Sequence, residues 1–148
     1  MTFELKPEER EVLEKIDFVN RYRELYSNYS DYDNTFEDYE VAEIERIIKS
    51  FGYSYVRYYR NEDFFKVDEA IQKDLYDISF NISLKYGFCE FIWDGMPWRM
   101  FLQLIGVDFS NIKKPAFHSY VEIRDILGVA FQMYEEYKEG LIAFYTGT

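Results

Sequence analysis

The most constraining feature of this sequence is a stretch, residues 78–86, in which apolar and polar side chains alternate without interruption. Its apolar members are Ile78, Phe80, Ile82, Leu84 and Tyr86, and its polar members are Ser79, Asn81, Ser83 and Lys85. Successive side chains of a β-strand point to opposite faces, so the alternation predicts a strand with one buried face and one polar face. A strand of this kind needs pairing partners, and we therefore expect a sheet.

Neighbouring segments supply those partners. Gly87 separates the alternating strand from residues 88–93, which we expect to return as an antiparallel strand and to end at an Asp-Gly turn, 94–95. Upstream, the aromatic stretch 53–60 is rich in β-favouring residues, and a polar turn joins it to 64–67. The middle of the chain is thus predicted to form a small antiparallel sheet.

Three segments show the three- and four-residue apolar spacing of α-helices. The first is predicted over 7–27, where a proline and several glutamates suit the positive end of a helix dipole. The second is predicted from a Thr35 cap to a left-handed Gly52, and the third from a capping box at Ser119 to Gly140. Their apolar faces are Val12, Ile16, Val19, Tyr22 and Tyr26; Val41, Ile44, Ile48 and Phe51; and Tyr120, Ile123, Leu127, Ala130, Phe131, Tyr134 and Tyr137.

Two segments are ambiguous in sequence. Residues 68–76 fit either a short helix or a polar connection. Residues 97–105 fit a short helix stopped at Gly106, but they also alternate like a strand. Both are left open at this point.

These elements predict an α+β fold of one domain, residues 1–148, with two N-terminal helices, a small antiparallel sheet in the middle and a C-terminal helix packed on the sheet. No internal repeat or linker divides the chain. No signal peptide and no apolar stretch long enough to span a membrane occur, and the single Cys89 cannot form an internal disulfide. We therefore expect a protein of the reducing cytoplasm.

The residues that usually carry catalysis are scarce. His118 is the only histidine, and it stands beside Ser119, which is better explained as a helix cap than as a nucleophile. Cys89 lies in an apolar run and fits a buried hydrophobe. The Asp31-Tyr32-Asp33 pattern lacks the glycine and glutamate that a calcium loop needs. No catalytic residue, metal site or cofactor is predicted, although a carboxylate-dependent enzyme remains a third possibility behind two binding functions.

The negative charge is concentrated in one region. The chain has a formal net charge of −11, and residues 24–45 contain eight carboxylates and no Lys or Arg, interleaved with aromatic residues. Carboxylates attract a cationic partner, and tyrosine rings offer rigid contact area and stack on guanidinium groups. The alternative is an ordinary solvated face with half-buried tyrosines at its edge. The predicted partner-binding residues are Glu24, Tyr29, Asp31, Tyr32, Asp33, Glu37, Asp38, Tyr39, Glu40 and Glu43.

Two further aromatic clusters, 53–65 and 93–98, are alternative interface regions, although core packing is the favoured interpretation of both. The oligomeric state is left open. Like charges repel, so direct contact with nucleic acid or with an anionic membrane is not expected. A basic protein partner is the natural expectation.

In size, acidity, aromatic content and scarcity of catalytic motifs, the chain resembles the immunity proteins that bacteria encode beside polymorphic or contact-dependent growth-inhibition toxins. The resemblance implies an antidote that binds a cognate toxin domain, often a basic nuclease, and blocks its active site or substrate groove. The alternative is a phage or plasmid protein that mimics nucleic acid and inhibits a host defence nuclease. A duplex mimic would spread its carboxylates along an elongated surface, whereas here they are concentrated in one region.

Overall fold

The computed structural model describes residues 4–68, 79–107 and 112–147 and confirms the α+β class. The order of elements matches the expectation of N-terminal helices, a central antiparallel sheet and a C-terminal helix on the sheet. The elements are α1 (Pro7–Lys15), α2 (Phe18–Asn28), α3 (Val41–Ser50), β1 (Tyr55–Tyr59), β2 (Phe64–Asp68), β3 (Phe80–Ser83), the 3₁₀ turn η1 (Lys85–Gly87), β4 (Glu90–Trp93), β5 (Met96–Pro97), α4 (Trp98–Ile105) and α5 (Tyr120–Thr146).

The sheet is an antiparallel meander with strand order β1-β2-β3-β4-β5. The predicted hairpin of 53–67 is confirmed, with Tyr59 opposite Phe64. The 94–95 turn is also confirmed, because Asp94 and Gly95 both have positive φ, the conformation that a two-residue hairpin turn requires. It joins β4 to β5, whose two residues continue directly into α4.

The alternating stretch forms a shorter strand than predicted. Phe80, Ile82 and Leu84 are buried as expected, but β3 ends at Ser83. Tyr86 follows in η1 with φ 62° and is 62% exposed, so it leaves the buried face. The physical reason is a competing set of backbone bonds: the carbonyl of Gly87 accepts from Phe117 N, which ties this turn to the loop before α5 instead of to the sheet. Ile78 lies outside the described residues.

The single first helix predicted over 7–27 is wrong, because the helical path is broken at Asp17 into α1 and α2. Asp17 has φ 56°, a left-handed conformation that aspartate tolerates better than most residues. Its carboxylate accepts from the Asn20 side chain, and Arg21 donates to the carbonyl of Ile16. The break brings Phe18 into full burial beside Trp98, a placement that periodicity alone does not reveal.

The second helix starts later than predicted. Thr35 is not its cap; the helix begins at Val41, with Glu40 at the N-cap. Residues 35–40 run without regular structure. A helix capped at Thr35 would pair Glu40 N with the carbonyl of Phe36, but Glu40 N donates to the Tyr120 hydroxyl at 2.9 Å instead. The predicted end is confirmed, since Gly52 has φ 102°.

The C-terminal helix is longer than predicted. The Ser119 cap is confirmed, as its hydroxyl accepts from Glu122 N, and the Glu122 carboxylate accepts from His118 N rather than from Ser119 N. The helix passes through Gly140 and ends at Thr146. Of the two ambiguous segments, 97–105 is helical and its Gly106 stop has φ 104°, whereas 68–76 lies outside the described residues apart from the end of β2.

The core is aromatic and lies between the sheet and the helices. Trp93 stacks on Tyr137 with ring centroids 4.6 Å apart, and Phe80 contacts Tyr134 at 4.8 Å, so α5 packs on the sheet through aromatic pairs. Trp93 and Trp98 are each 1% exposed. The two tryptophans of the 93–98 cluster are therefore core residues, as favoured, while the turn at 94–95 is exposed.

Gly140 lets α1 approach α5 closely, and this contact is testable. An added Cβ would lie 2.6 Å from Val12 Cγ1, and valine has little rotational freedom to move away. We expect Gly140→Ala to lower the free energy of unfolding by about 1–3 kcal/mol through overpacking. Gly128→Ala is the matched control, because its Cβ would meet only Phe51 at 3.6 Å, and we expect it to raise stability by about 1 kcal/mol.

Chemical denaturation measures the unfolding free energy of Gly140→Ala, Gly128→Ala, Val12→Ala and the double variant Val12→Ala/Gly140→Ala. The double variant should recover stability relative to the sum of its two single changes, since the clash is absent. Equal effects of Gly140→Ala and Gly128→Ala would contradict the close approach of α1 to α5.

Candidate functional site

The predicted partner-binding residues lie on the connection between α2 and α3 and on the helix ends beside it. We call residues 29–40, with Glu24 on α2 and Glu43 on α3, the acidic surface. Its backbone is held at three points: Ala116 N donates to the carbonyl of Tyr29 at 2.7 Å, Phe36 N donates to that of Phe117 at 2.9 Å, and Glu40 N donates to the Tyr120 hydroxyl at 2.9 Å. The acidic surface is thus anchored along its whole length to the segment that leads into α5.

A glycine contact fixes the middle of the acidic surface from the other side. Gly87, with φ 83°, lies so close to Thr35 that any Cβ at this position would overlap the Thr35 side chain. Phe88 and Ala116 form an isolated antiparallel bridge, and Cys89 N donates to the carbonyl of Pro115 at 2.8 Å. Three chain segments that are remote in sequence therefore meet beneath the acidic surface.

Most aromatic residues of the acidic surface hold it against the core and leave little of their area exposed to a partner. Tyr29, Phe36 and Tyr39 are half-buried and pack against the core. Phe36 meets Tyr120 edge to face with ring centroids 4.9 Å apart. Burial raises the pKa of Tyr29 and of Tyr39 above the ordinary tyrosine value. The acidic surface is therefore exposed mainly through its polar side chains.

The carboxylates of the acidic surface face solvent. Within the described ranges, Glu43 is the member that forms an ion pair, with Arg46, and the remaining carboxylates have no Lys, Arg or His within salt-bridge distance. Asp31 accepts a hydrogen bond from the Asn34 side chain. The exposed carboxylates are Glu24, Asp31, Asp33, Glu37, Asp38 and Glu40.

Tyr32 differs from Tyr29 and Tyr39 of the acidic surface because a lysine lies over its ring. Its ring lies 5.8 Å from that of Phe88, and Lys113 Nζ lies 5.5 Å from its centroid, within the range of a cation–π contact. Lys114 Nζ pairs with Glu90 at 2.5 Å. Sequence reasoning missed these cations, because Lys113 and Lys114 are far from residue 32 in the chain and only the fold brings them near.

A cavity of about 320 Å³ opens at this junction of aromatic and basic side chains. Burial raises the pKa of the Tyr32 phenol, and its hydroxyl oxygen is buried without a hydrogen-bond partner among the residues that the structure describes. The described lining residues are Tyr32, Phe88, Arg99, Ile112, Lys113 and Lys114.

The candidate nucleophiles have structural roles. Cys89 is fully buried, and burial raises the pKa of its thiol far above the usual value, so it is confirmed as a core residue. Ser119 is occupied as a helix cap, and His118 Nε2 lies 3.2 Å from a Glu122 carboxylate oxygen. Over residues 4–68, 79–107 and 112–147, no group of three or more His, Cys, Asp or Glu side chains is arranged to hold a metal ion.

No family model matches this chain, and neither the curated proteins nor the solved structures searched include a significant match. Among the described helices, none is both long enough and apolar enough to cross a membrane.

Gly87 offers a test of how the acidic surface is held. Gly87→Ala adds backbone strain at φ 83° and a clash with Thr35, whereas Gly95→Ala adds the same kind of strain at φ 81° with no atom within 4 Å of the new Cβ. The strain costs about 1–2 kcal/mol in both variants. We expect Gly87→Ala to cost at least about 1 kcal/mol more, the usual scale of overpacking.

Thermal and urea unfolding of the two variants measures the difference. Amide hydrogen exchange should also become faster in residues 35–37 of Gly87→Ala and stay unchanged there in Gly95→Ala. Equal unfolding free energies for the two variants would show that Gly87 does not hold Thr35.

The turn between β1 and β2 provides a pH-dependent test. The Tyr58 hydroxyl donates to Asp63 Oδ1 at 2.5 Å, and this bond, with burial as the second cause, raises the Tyr58 pKa from 10.0 to about 12. Below pH 10 the phenol is neutral in both folded and unfolded chains, so its contribution to stability is complete. Between pH 10 and pH 12 only the unfolded chain ionises, and that contribution is lost as the pH rises.

We expect Asp63→Asn to lower the Tyr58 pKa toward 10, because the amide removes the negative charge beside the phenol. Asparagine also tolerates the φ of 55° at this position, so the turn should be kept. NMR of ¹³Cζ-labelled tyrosine, assigned with Tyr58→Phe, follows the single phenol. A Tyr58 titration that is the same in Asp63→Asn and in the unchanged chain would contradict the assigned cause.

Proposed function

We propose that this chain is a binding protein that docks a basic protein partner on its acidic surface. The observation that carries the proposal is the set of exposed carboxylates in residues 24–40 without compensating cations in the described part of the chain. Ordinary surface carboxylates are interspersed with Lys and Arg, and their fields largely cancel. Here no ion pair among the described residues neutralises the six exposed carboxylates, and a cationic partner would supply the missing counter-charges.

The anchoring of the acidic surface supports the same proposal. Binding costs conformational entropy when a flexible loop must become ordered, and a loop that is already held avoids that cost. Backbone bonds at Tyr29, Phe36 and Glu40 hold this segment before any partner arrives. Charges in fixed positions steer a partner and also select its orientation, which an unanchored acidic tail does not.

We further propose that the partner is a cognate toxin domain, a basic nuclease, and that the chain is its immunity protein. Such a nuclease must present cations to bind nucleic acid phosphates, and those cations are the complement of the acidic surface. Bound there, the chain would cover the active site or the substrate groove. The scarcity of catalytic chemistry in the sequence and the buried position of Cys89 are consistent with a protein that acts by binding.

Co-expression tests the biological part of this proposal. The protein encoded by the adjacent open reading frame is produced in cells with and without this chain, and survival and co-purification are measured. The proposal expects the neighbouring product to be toxic alone, harmless with this chain, and recovered in a complex with it. A neighbouring product that is harmless or that does not bind would overturn the immunity assignment.

Charge reversal tests the docking surface. We expect Asp33→Lys, Glu37→Lys and Asp38→Lys together to slow association with the partner by about tenfold or more and to reduce its salt dependence. These positions avoid the Asp31–Asn34 bond and the N-cap of α3, so the fold should be retained.

The matched control reverses three exposed carboxylates elsewhere, Glu11, Glu62 and Glu139. Both triple variants change the formal net charge from −11 to −5, since each substitution adds two units. Surface plasmon resonance at several salt concentrations measures both association rates. An equal loss in the two variants would mean that net charge alone matters and would overturn the acidic surface as the docking site.

A further inference from the structure

The cavity beside Tyr32 differs in charge from the rest of the molecule. Acidic residues outnumber basic ones by 28 to 17 in the chain, yet the described lining contains three basic residues and no acidic one. Asp31 and Asp33 flank Tyr32 in sequence but are not among the described lining residues. A local excess of cations in a strongly acidic protein favours an anionic ligand.

The two lysines of the lining differ in their ion pairing. Lys114 is neutralised by its ion pair with Glu90 at 2.5 Å. Lys113 is exposed, and within the described ranges it contacts the Tyr32 ring but no carboxylate. Of the two lysines, Lys113 is thus the one whose charge a ligand anion can meet directly.

The walls of the cavity are apolar and suit an aromatic ring of a ligand. Tyr32 and Phe88 present two rings with an interplanar angle of 33°, and Ile112 adds an aliphatic wall that is 5% exposed. The two rings contact each other, with centroids 5.8 Å apart, so a ligand ring would pack against this pair through stacking and the burial of apolar area. A volume of about 320 Å³ is at the small end of ligand sites, which fits a molecule of one or two fused rings.

The Tyr32 hydroxyl is buried and has no hydrogen-bond partner among the described residues. Because this oxygen is closed to solvent, a ligand in the cavity meets other atoms of Tyr32 and not its hydroxyl. The group that meets the ligand's anion is therefore Lys113, which is exposed.

We propose that this cavity binds a small organic anion, an aromatic ring system bearing a carboxylate, with its ring against the Tyr32 and Phe88 pair and its carboxylate at Lys113. The proposal concerns a site separate from the carboxylates of the acidic surface. It does not depend on the proposed immunity function, because its test uses the isolated chain and needs no partner.

The test measures binding of 1-naphthoate to the full chain by isothermal titration calorimetry. Its neutral isostere, 1-naphthalenemethanol, and acetate, a carboxylate without a ring, are measured in parallel. We expect 1-naphthoate to bind with a dissociation constant below about 1 mM, the alcohol to bind about tenfold more weakly, and acetate to give no detectable heat.

Variants locate the site. Lys113→Gln should raise the dissociation constant of 1-naphthoate about fivefold to tenfold, because it removes the charge that meets the carboxylate. Lys85→Gln is the matched control: Lys85 is also exposed and lies 5.4 Å from the centroid of the Tyr86 ring, outside the cavity. It should leave the affinity unchanged.

Each contrary result overturns a stated part of the proposal. Equal affinity for 1-naphthoate and the alcohol would refute an anionic ligand. Equal effects of Lys113→Gln and Lys85→Gln would refute the cavity as the site. A dissociation constant for 1-naphthoate well above 1 mM would refute a small-molecule site altogether.

Discussion

Backbone hydrogen bonds between remote segments are the constraint on which the rest of this structure depends. Residues 29–36, 87–89 and 115–117 exchange main-chain bonds, and Gly87 packs against Thr35. Polar backbone groups that leave water must be paired, so these bonds fix the positions of all three connecting segments relative to one another. It ends β3 early and places the acidic surface and the cavity side by side.

The same junction explains what the sequence could and could not predict. Local patterns were sufficient for the β1–β2 hairpin, the Asp94-Gly95 turn, the Ser119 cap and the burial of Phe80 and Ile82, because turn chemistry, capping and periodicity act over a few residues. They failed at Asp17, Thr35 and Tyr86. After Thr35 and beside Tyr86, a bond to a residue remote in the chain overrides the local preference. At Asp17 a left-handed backbone, supported by the Asn20 and Arg21 side chains, breaks a helix that apolar periodicity alone continues.

The candidate site also has some properties that follow from the local sequence and others that depend on the fold. The concentration of carboxylates in 24–45 is a property of the sequence, and their exposure follows from their chemistry. The anchoring role of Tyr29 and Tyr39 and the approach of Lys113 to Tyr32 depend on residues distant in the chain. Composition therefore predicted the charge of the surface, whereas the fold supplied its rigidity and the basic cavity beside it.

The central claim is that carboxylates held by this junction form the docking surface for a basic partner. Amide hydrogen exchange of the chain with and without the co-purified partner tests it most directly, since a docked partner slows exchange where it covers the backbone. The account predicts new protection in residues 30–40 and in the first turn of α3. Protection confined to the sheet or to the C-terminal turns of α5, with none in 30–40, would contradict it.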